Sequence, residues 1–181
     1  MKLVILDRDG VINEESQDFI KAPEEWHPLP GSLEAVGKLS RAGWTVVVAS
    51  NQSGLRRKLL DIGDLNRIHD RMHRALAEVG GRIDAIFICP HLPRDHCRCR
   101  KPSTAMLLEI GERLRTPLAG VPFVGDRLND VKAAREAGAL PWLVRTGHGQ
   151  EVLAGGEDLD DVRVFDDLAA AADTLVRESA G

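Results

Sequence analysis

Apolar residues in this chain fall into short, nearly unbroken blocks separated by longer stretches of helical spacing. The blocks are LVIL at 3–6, VVVA at 46–49, AIFIC at 85–89, VPFVG at 121–125, LPWLV at 140–144 and VRVF at 162–165. Blocks this short and this continuous read as strands buried on both faces, since a half-exposed strand would alternate. Between them, apolar positions return every three or four residues, as in Leu65, Ile68, Met72, Leu76 and Val79. That spacing predicts helices over 31–43 (with Ser32 as cap and Gly43 as stop), 64–81, 103–114, 129–138 and 167–176. Strand and helix alternate along the chain, which predicts an α/β fold: a Rossmann-like parallel sheet with helices on both faces. No repeat, low-complexity tract or linker interrupts the pattern, so one domain over 1–181 is expected.

Ligands of such sheets collect beyond the carboxyl ends of the strands, where strand order reverses. The residues that follow each block are therefore the candidates. After the first come Asp7, Arg8, Asp9 and Gly10; after the second, SNQSGLRRK at 50–58. The third leads into a cysteine-containing segment ending in Arg100 and Lys101, and the fourth into GDRLND with Asp126 and Asp130. Asp7 and Asp9 would point the same way from extended backbone, so their charges repel unless a cation or proton intervenes. A turn or capping cluster would also bring Asp and Gly together. Taken together, Asp7, Asp9 and Asp126 supply hard oxygen ligands suited to Mg²⁺, Lys101 a point charge for a phosphoryl group, and Ser50 a neutral donor. A carboxylate nucleophile with a second carboxylic acid two residues on can split phosphate ester hydrolysis into two displacements.

Composition is that of an ordinary soluble protein, with 43% hydrophobic and 29% charged residues. A formal net charge of −4 argues against a nucleic-acid partner. No apolar run reaches membrane-spanning length, and the first strand begins at once without a signal-peptide pattern. A cytoplasmic location, no membrane partner and a monomer are expected. Cys89, Cys97 and Cys99 fall within eleven residues. An odd, clustered set of this kind does not read as a disulfide framework. With His91 they form C-x-H-x5-C-x-C, a donor set for a tetrahedral structural Zn²⁺ site, with His96 as an alternative ligand. His69 and His73 lie four apart, but they flank the apolar stripe and read as boundary histidines of a helix. Arg56, Arg57 and Lys58 suit either a solvated face or a wall facing an anionic substrate.

The segments DRDGVIN, SNQSG, RKP and GDRLND resemble, in this order, the four motifs of the haloacid dehalogenase superfamily of phosphohydrolases. With CPH…CRCRKP added, the match over roughly residues 2–147 is similar to the heptose-bisphosphate phosphatase and histidinol-phosphate phosphatase families. The resemblance implies a haloacid dehalogenase-like core without a large cap. It implies Asp7 as nucleophile, Asp9 as general acid and base, and Mg²⁺ held by Asp7, Asp126 and the Asp9 carbonyl. It further implies structural Zn²⁺ on Cys89, His91, Cys97 and Cys99 in a loop at 89–102. Phosphate binding falls to Ser50 and Lys101, with Arg8, Asn51, Gln52 and Ser53 beside them. Glu15, Ser16, Gln17 and Asp18 would approach the sugar hydroxyls, and Arg100 and Arg127 the far phosphate. The implied substrate is a phosphorylated sugar, D-glycero-D-manno-heptose 1,7-bisphosphate losing its C7 phosphate on the way to lipopolysaccharide core precursors. Histidinol phosphate or another small sugar phosphate is the alternative. A phosphoacceptor signalling domain uses similar residues, but its accepting aspartate follows a later strand. The chain departs from the resemblance in three places. Ser50 stands where many relatives have Thr. Leu55–Lys58 replaces a run with a small residue and a glycine. The cysteine loop is also short.

Overall fold

The computed structural model describes residues 1–179; the last two positions of the expected domain lie outside the described residues. Six strands form one parallel sheet: β1 (Leu3–Leu6), β2 (Thr45–Asn51), β3 (Ala85–Cys89), β4 (Pro122–Gly125), β5 (Leu140–Val144) and β6 (Arg163–Phe165). Their order is β3-β2-β1-β4-β5-β6. Side chains of successive strand residues feed opposite layers. Val4, Leu6, Val46 and Val48 meet α1 (Ser32–Arg41), α2 (Ile62–Glu78) and α6 (Leu168–Glu178) in one buried cluster. Leu3, Ile5, Val47 and Ala49 meet α3 (Ala105–Arg113) and α4 (Leu128–Ala137) in the other. The fully buried β1, with no position exposed above 2%, needs this double cover.

All six expected strands and all five expected helices are present, with shifted ends. Ser32 is not the cap of α1: Gly31 holds that place with φ of 75°, and the Ser32 hydroxyl donates to the Ile12 and Leu29 carbonyls at 2.5 and 2.8 Å. Helix α2 starts two residues earlier than the apolar spacing suggests, because Asp61 and Asp64 each accept the other's backbone N–H at 2.8 Å. β3 is an edge strand, and four of its five residues are only half-buried. A short helix, α5 (Gly149–Ala154), has no counterpart in the sequence pattern; six residues are too few to display a helical period.

The chain passes from β1 outward through β2 to β3, then returns to the other side of β1 as β4. The connections thus diverge between β1 and β4, opening a crevice at their carboxyl ends. Asp7 follows β1 directly and Asp126 follows β4 directly, so this topology alone makes them neighbours. Among the described residues no helix is long and apolar enough to cross a membrane.

Candidate active site

A cavity of about 420 Å³ lies over the crevice. Asp7, Arg8, Asp9, Glu15, Ser16, Gln17, Asn51, Gln52, Ser53, Arg100, Lys101 and Arg127 all line it. Three other expected residues do not: Ser50 and Asp126 are buried, and Asp18 faces outward on the loop.

The floor is ionic. Lys101, 1% exposed, places Nζ 2.7 Å from Asp130 Oδ1, 3.1 Å from Asp7 Oδ1 and 2.8 Å from the Ala49 carbonyl. Nζ donates a hydrogen bond to that carbonyl, and the two carboxylates pair with its charge inside the protein. Burial works against the Lys101 charge, but Asp130 and then Asp7 outweigh it and raise its pKa. The backbone on either side is fixed by Asn51, whose side chain donates to the Lys101 carbonyl and accepts from its N–H, both at 3.1 Å.

Asp7 is pushed up to about 7 by burial, opposed by Lys101 and reinforced by Asp130 and Asp9. Asp126 goes to about 8 through burial and the charges of Asp7 and Asp130. Asp126 Oδ2 accepts from the His148 backbone N–H at 2.8 Å, whereas its buried Oδ1 has no partner. Two glycines make room for that carboxylate: a Cβ on Gly10 or Gly147 would sit 2.2 or 2.1 Å from Oδ2. One carboxylate oxygen each from Asp7, Asp126 and Asp130 lies within 4.8 Å of the others. Three buried carboxylates, two of them (Asp126 and Asp130) with an oxygen that lacks a hydrogen-bond partner, fit a hard divalent cation and no apolar group.

Asp9 is opposite in character. Arg8 reaches Oδ1 from Nε and Nη2 at 3.1 and 2.9 Å and Oδ2 from Nη2 at 3.2 Å. Asn13 adds a bond to Oδ1 at 2.8 Å and Gln52 one to Oδ2 at 2.9 Å. Burial would raise its pKa, but Arg8 and these donors outweigh that and hold the carboxyl below its usual range. The Arg8 guanidinium thus lines the cavity while it is bonded to Asp9. Ser50 likewise has its hydroxyl oxygen engaged by Gln52 at 2.8 Å.

At the rim, Arg127 pairs with Glu15 at 3.1 Å and Arg100 donates to the His91 carbonyl at 3.1 Å. Arg57 lies over the Phe19 ring, 5.5 Å from its centroid, and both line the cavity. Of the basic run Arg56, Arg57 and Lys58, only Arg57 is part of the cavity wall; Arg56 leans on Asp95 at 3.5 Å. Lys58 takes a left-handed φ of 59°, which a glycine would adopt without strain.

Cys89, His91, Cys97 and Cys99 converge, each offering one donor atom within 4.8 Å of the rest. Separations run from 3.0 Å for Cys99–Cys89 to 3.6 Å for Cys89–Cys97, with His91 Nδ1 at 3.2 Å from Cys99. Edges near ~3.7 Å are those of a tetrahedron with metal–sulfur bonds of ~2.3 Å. His96 is exposed and stands outside the set.

Asp130, a strand-end candidate without an expected role, joins the floor of the site, and Asn13 and His148 join it from outside the expected set. Asp130 carries a legible signal, since it lies four residues after Asp126 in the first turn of α4, whose start faces the crevice. Asn13 ends an apolar pair in VIN, a faint sign of a buried polar role. His148 acts through its backbone N–H, for which side-chain identity gives no signal.

Residues 98–171 match a family model described as "HAD-hyrolase-like". The chain is 56% identical over 179 residues to the D-glycero-beta-D-manno-heptose-1,7-bisphosphate 7-phosphatase of Bordetella bronchiseptica, covering 99% of this chain and 100% of the relative. The enzyme of the same name from Pseudomonas aeruginosa is 49% identical over 176 residues, covering 97% and 98%. A crystal structure of D,D-heptose 1,7-bisphosphate phosphatase from B. bronchiseptica, complexed with magnesium and phosphate, superposes with a TM-score of 0.96 at 57% identity, covering 98% of this chain and 99% of that one. The chain belongs to the heptose-1,7-bisphosphate 7-phosphatase family of haloacid dehalogenase-like hydrolases.

Proposed function

We propose that the protein hydrolyses the C7 phosphate of D-glycero-beta-D-manno-heptose 1,7-bisphosphate through an aspartyl-phosphate on Asp7. The observation that supports this most is one cavity with two kinds of anion-directed group. Its floor carries Asp7 and Lys101, and its lining also carries Arg57, Arg100 and Arg127, enough cations for a second, non-reacting phosphate.

The Asp7 carboxylate attacks phosphorus, the new O–P bond forms, and the bond to the sugar oxygen breaks as Asp9 gives that oxygen a proton. Asp9 rests ionised; the negative charge of an arriving phosphate raises its proton affinity, so that it takes a proton from solvent before handing it to the leaving oxygen. In the second displacement Asp9 takes a proton from water, whose oxygen attacks phosphorus and frees Asp7. Lys101 stands beside Asp7 throughout, ready to share the charge on the phosphoryl oxygens. Asp7, Asp126 and the Asp9 carbonyl would hold Mg²⁺, which supplies charge neutralisation for the phosphoryl group.

The four-donor loop fits Zn²⁺ in a purely structural role, since three thiols and an imidazole complete a tetrahedron. Residues 89–102 then form a metal-bound loop within a single domain over 1–181, at work in the cytoplasm on lipopolysaccharide precursors. Phosphate release from purified, Mg²⁺-supplied protein over a panel of phosphorylated sugars and histidinol phosphate tests the assignment. The heptose bisphosphate should give the highest kcat/KM. A clear preference for histidinol phosphate, whose amine the rim arginines repel, would overturn it.

A further inference from the structure

Arg8 is the largest polar side chain buried beside the reacting groups, 1% exposed, and its guanidinium faces two ways. One edge holds Asp9, and among the described residues Arg8 is the only donor that reaches both oxygens of that carboxylate; Asn13 and Gln52 each reach one. The plane of the Asp9 carboxyl is therefore set by the plane of this guanidinium. The other edge, Nη1, lies 3.2 Å from Nε2 of His69. His69 sits midway along α2, outside all four phosphatase-like segments, and does not line the cavity.

A guanidinium has five N–H donors and no acceptor, so Nε2 can face it only through a lone pair, with the ring proton on Nδ1. Burial, then the charges of Arg8 and of His73, push His69 down to about 4, which keeps the ring neutral near pH 7. A neutral imidazole here satisfies a buried N–H that would otherwise be orphaned on a cation. An orphaned donor would draw the guanidinium toward any other acceptor and so turn it away from Asp9.

We propose that His69 is a positioning residue for the phosphatase reaction: its Nε2 lone pair anchors Arg8, and Arg8 in turn holds the Asp9 carboxyl aimed at the leaving oxygen. The inference rests on the role given to Asp9 above. It places a determinant of acid catalysis on a helix that contributes nothing else to the cavity.

A general acid matters in proportion to how poor the leaving group is. A sugar alkoxide needs a proton from Asp9, whereas p-nitrophenolate leaves without one. Any merely structural damage from changing His69 would slow both substrates alike. The test compares kcat/KM on a sugar phosphate and on p-nitrophenyl phosphate for wild type, His69→Leu, His69→Gln and Asp9→Asn, each with Mg²⁺ and with Tm checked. His69→Leu removes the lone pair at similar volume and should lower the sugar-phosphate value about tenfold, a fraction of the ~10²-fold or more that a general acid contributes, with under about twofold change on the aryl substrate. His69→Gln, whose Oε1 can accept from Nη1, should recover most of the loss. If the leucine variant does not fold, His69→Ala makes the same comparison. Equal losses on both substrates, or a glutamine variant as poor as leucine, would overturn the proposal. If Asp9→Asn itself fails to discriminate the two substrates, the fault lies in the assignment of Asp9; if it discriminates and His69→Leu does not, the fault lies in His69.

Discussion

Replacing Lys101 with Met probes the floor of the site, because the apolar side chain keeps the length and loses the ammonium. With effective dielectric about 20, contacts of 2.7 Å to Asp130 and 3.1 Å to Asp7 correspond to gross attractions of about 6 and about 5 kcal/mol. Desolvating three buried groups cancels much of that, so the intact cluster adds little net stability. Removing one member is different, since it strands charge in the interior at a cost of about 3–5 kcal/mol. The stranded carboxylates respond by binding protons. The Asp7 folded-state pKa, already raised, then rises further above the unfolded one, so stability is retained at low pH and lost as pH rises. Denaturant unfolding of wild type and Lys101→Met at about pH 5 and about pH 8 should therefore show a larger deficit at the higher pH. Turnover should fall by about 10²–10³, the usual cost of deleting one preorganised charge from a phosphoryl site. A deficit below about 1 kcal/mol at both pH values would refute the electrostatic reading of this cluster.

Asp7→Asn keeps the shape of the nucleophile and should leave the fold intact with turnover near background; substantial turnover, with deamidation excluded by mass, would refute covalent catalysis at this residue. The metal-free protein binds more protons folded than unfolded, with Asp7 near 7 and Asp126 near 8 against ordinary values of 3.8, so its Tm should fall as pH rises toward 8. Added Mg²⁺ should raise Tm more at about pH 8 than at about pH 6, and equal shifts would count against a site on these carboxylates. Protein purified without chelator should contain about one zinc per chain by elemental analysis, and Cys97→Ser should lower both zinc content and Tm; an absence of zinc would sink the loop assignment.

The parts of this molecule that were legible in the sequence share a property: each is a side chain whose chemistry differs from its neighbours. LVIL, VVVA and VPFVG announce strands because nothing polar interrupts them, and Asp7, Lys101 and Asp126 stand out at their ends. Cys89, His91, Cys97 and Cys99 are conspicuous for the same reason. What stayed hidden works through backbone or through geometry. Gly10 and Gly147 frame Asp126 by lacking side chains, His148 contributes an N–H, and Ser32 binds carbonyls upstream instead of capping its helix. Arg8 and Ser50 are assigned to phosphate binding by resemblance, and the folded chain adds protein partners to each. Their partners, Asp9 and Gln52, are contacts that only the folded chain specifies.

The charges at the floor of the cavity explain why such a site needs both its lysine and a divalent cation. Asp7, Asp126 and Asp130 bring three buried carboxylates against the single ammonium of Lys101, leaving two negative charges if all are ionised. The protein alone relieves that excess by protonation, which is what the raised pKa values of Asp7 and Asp126 express. A protonated Asp7 cannot attack phosphorus. A divalent cation would match the excess charge for charge and compete with the protons, which would leave Asp7 ionised for the attack proposed for it. Asp9 lies outside this balance because Arg8 neutralises it separately. Two carboxylates two residues apart are thus given opposite proton affinities by their surroundings: Asp7 holds a proton until a cation replaces it, and Asp9 stays ionised until an arriving phosphate raises its affinity for one.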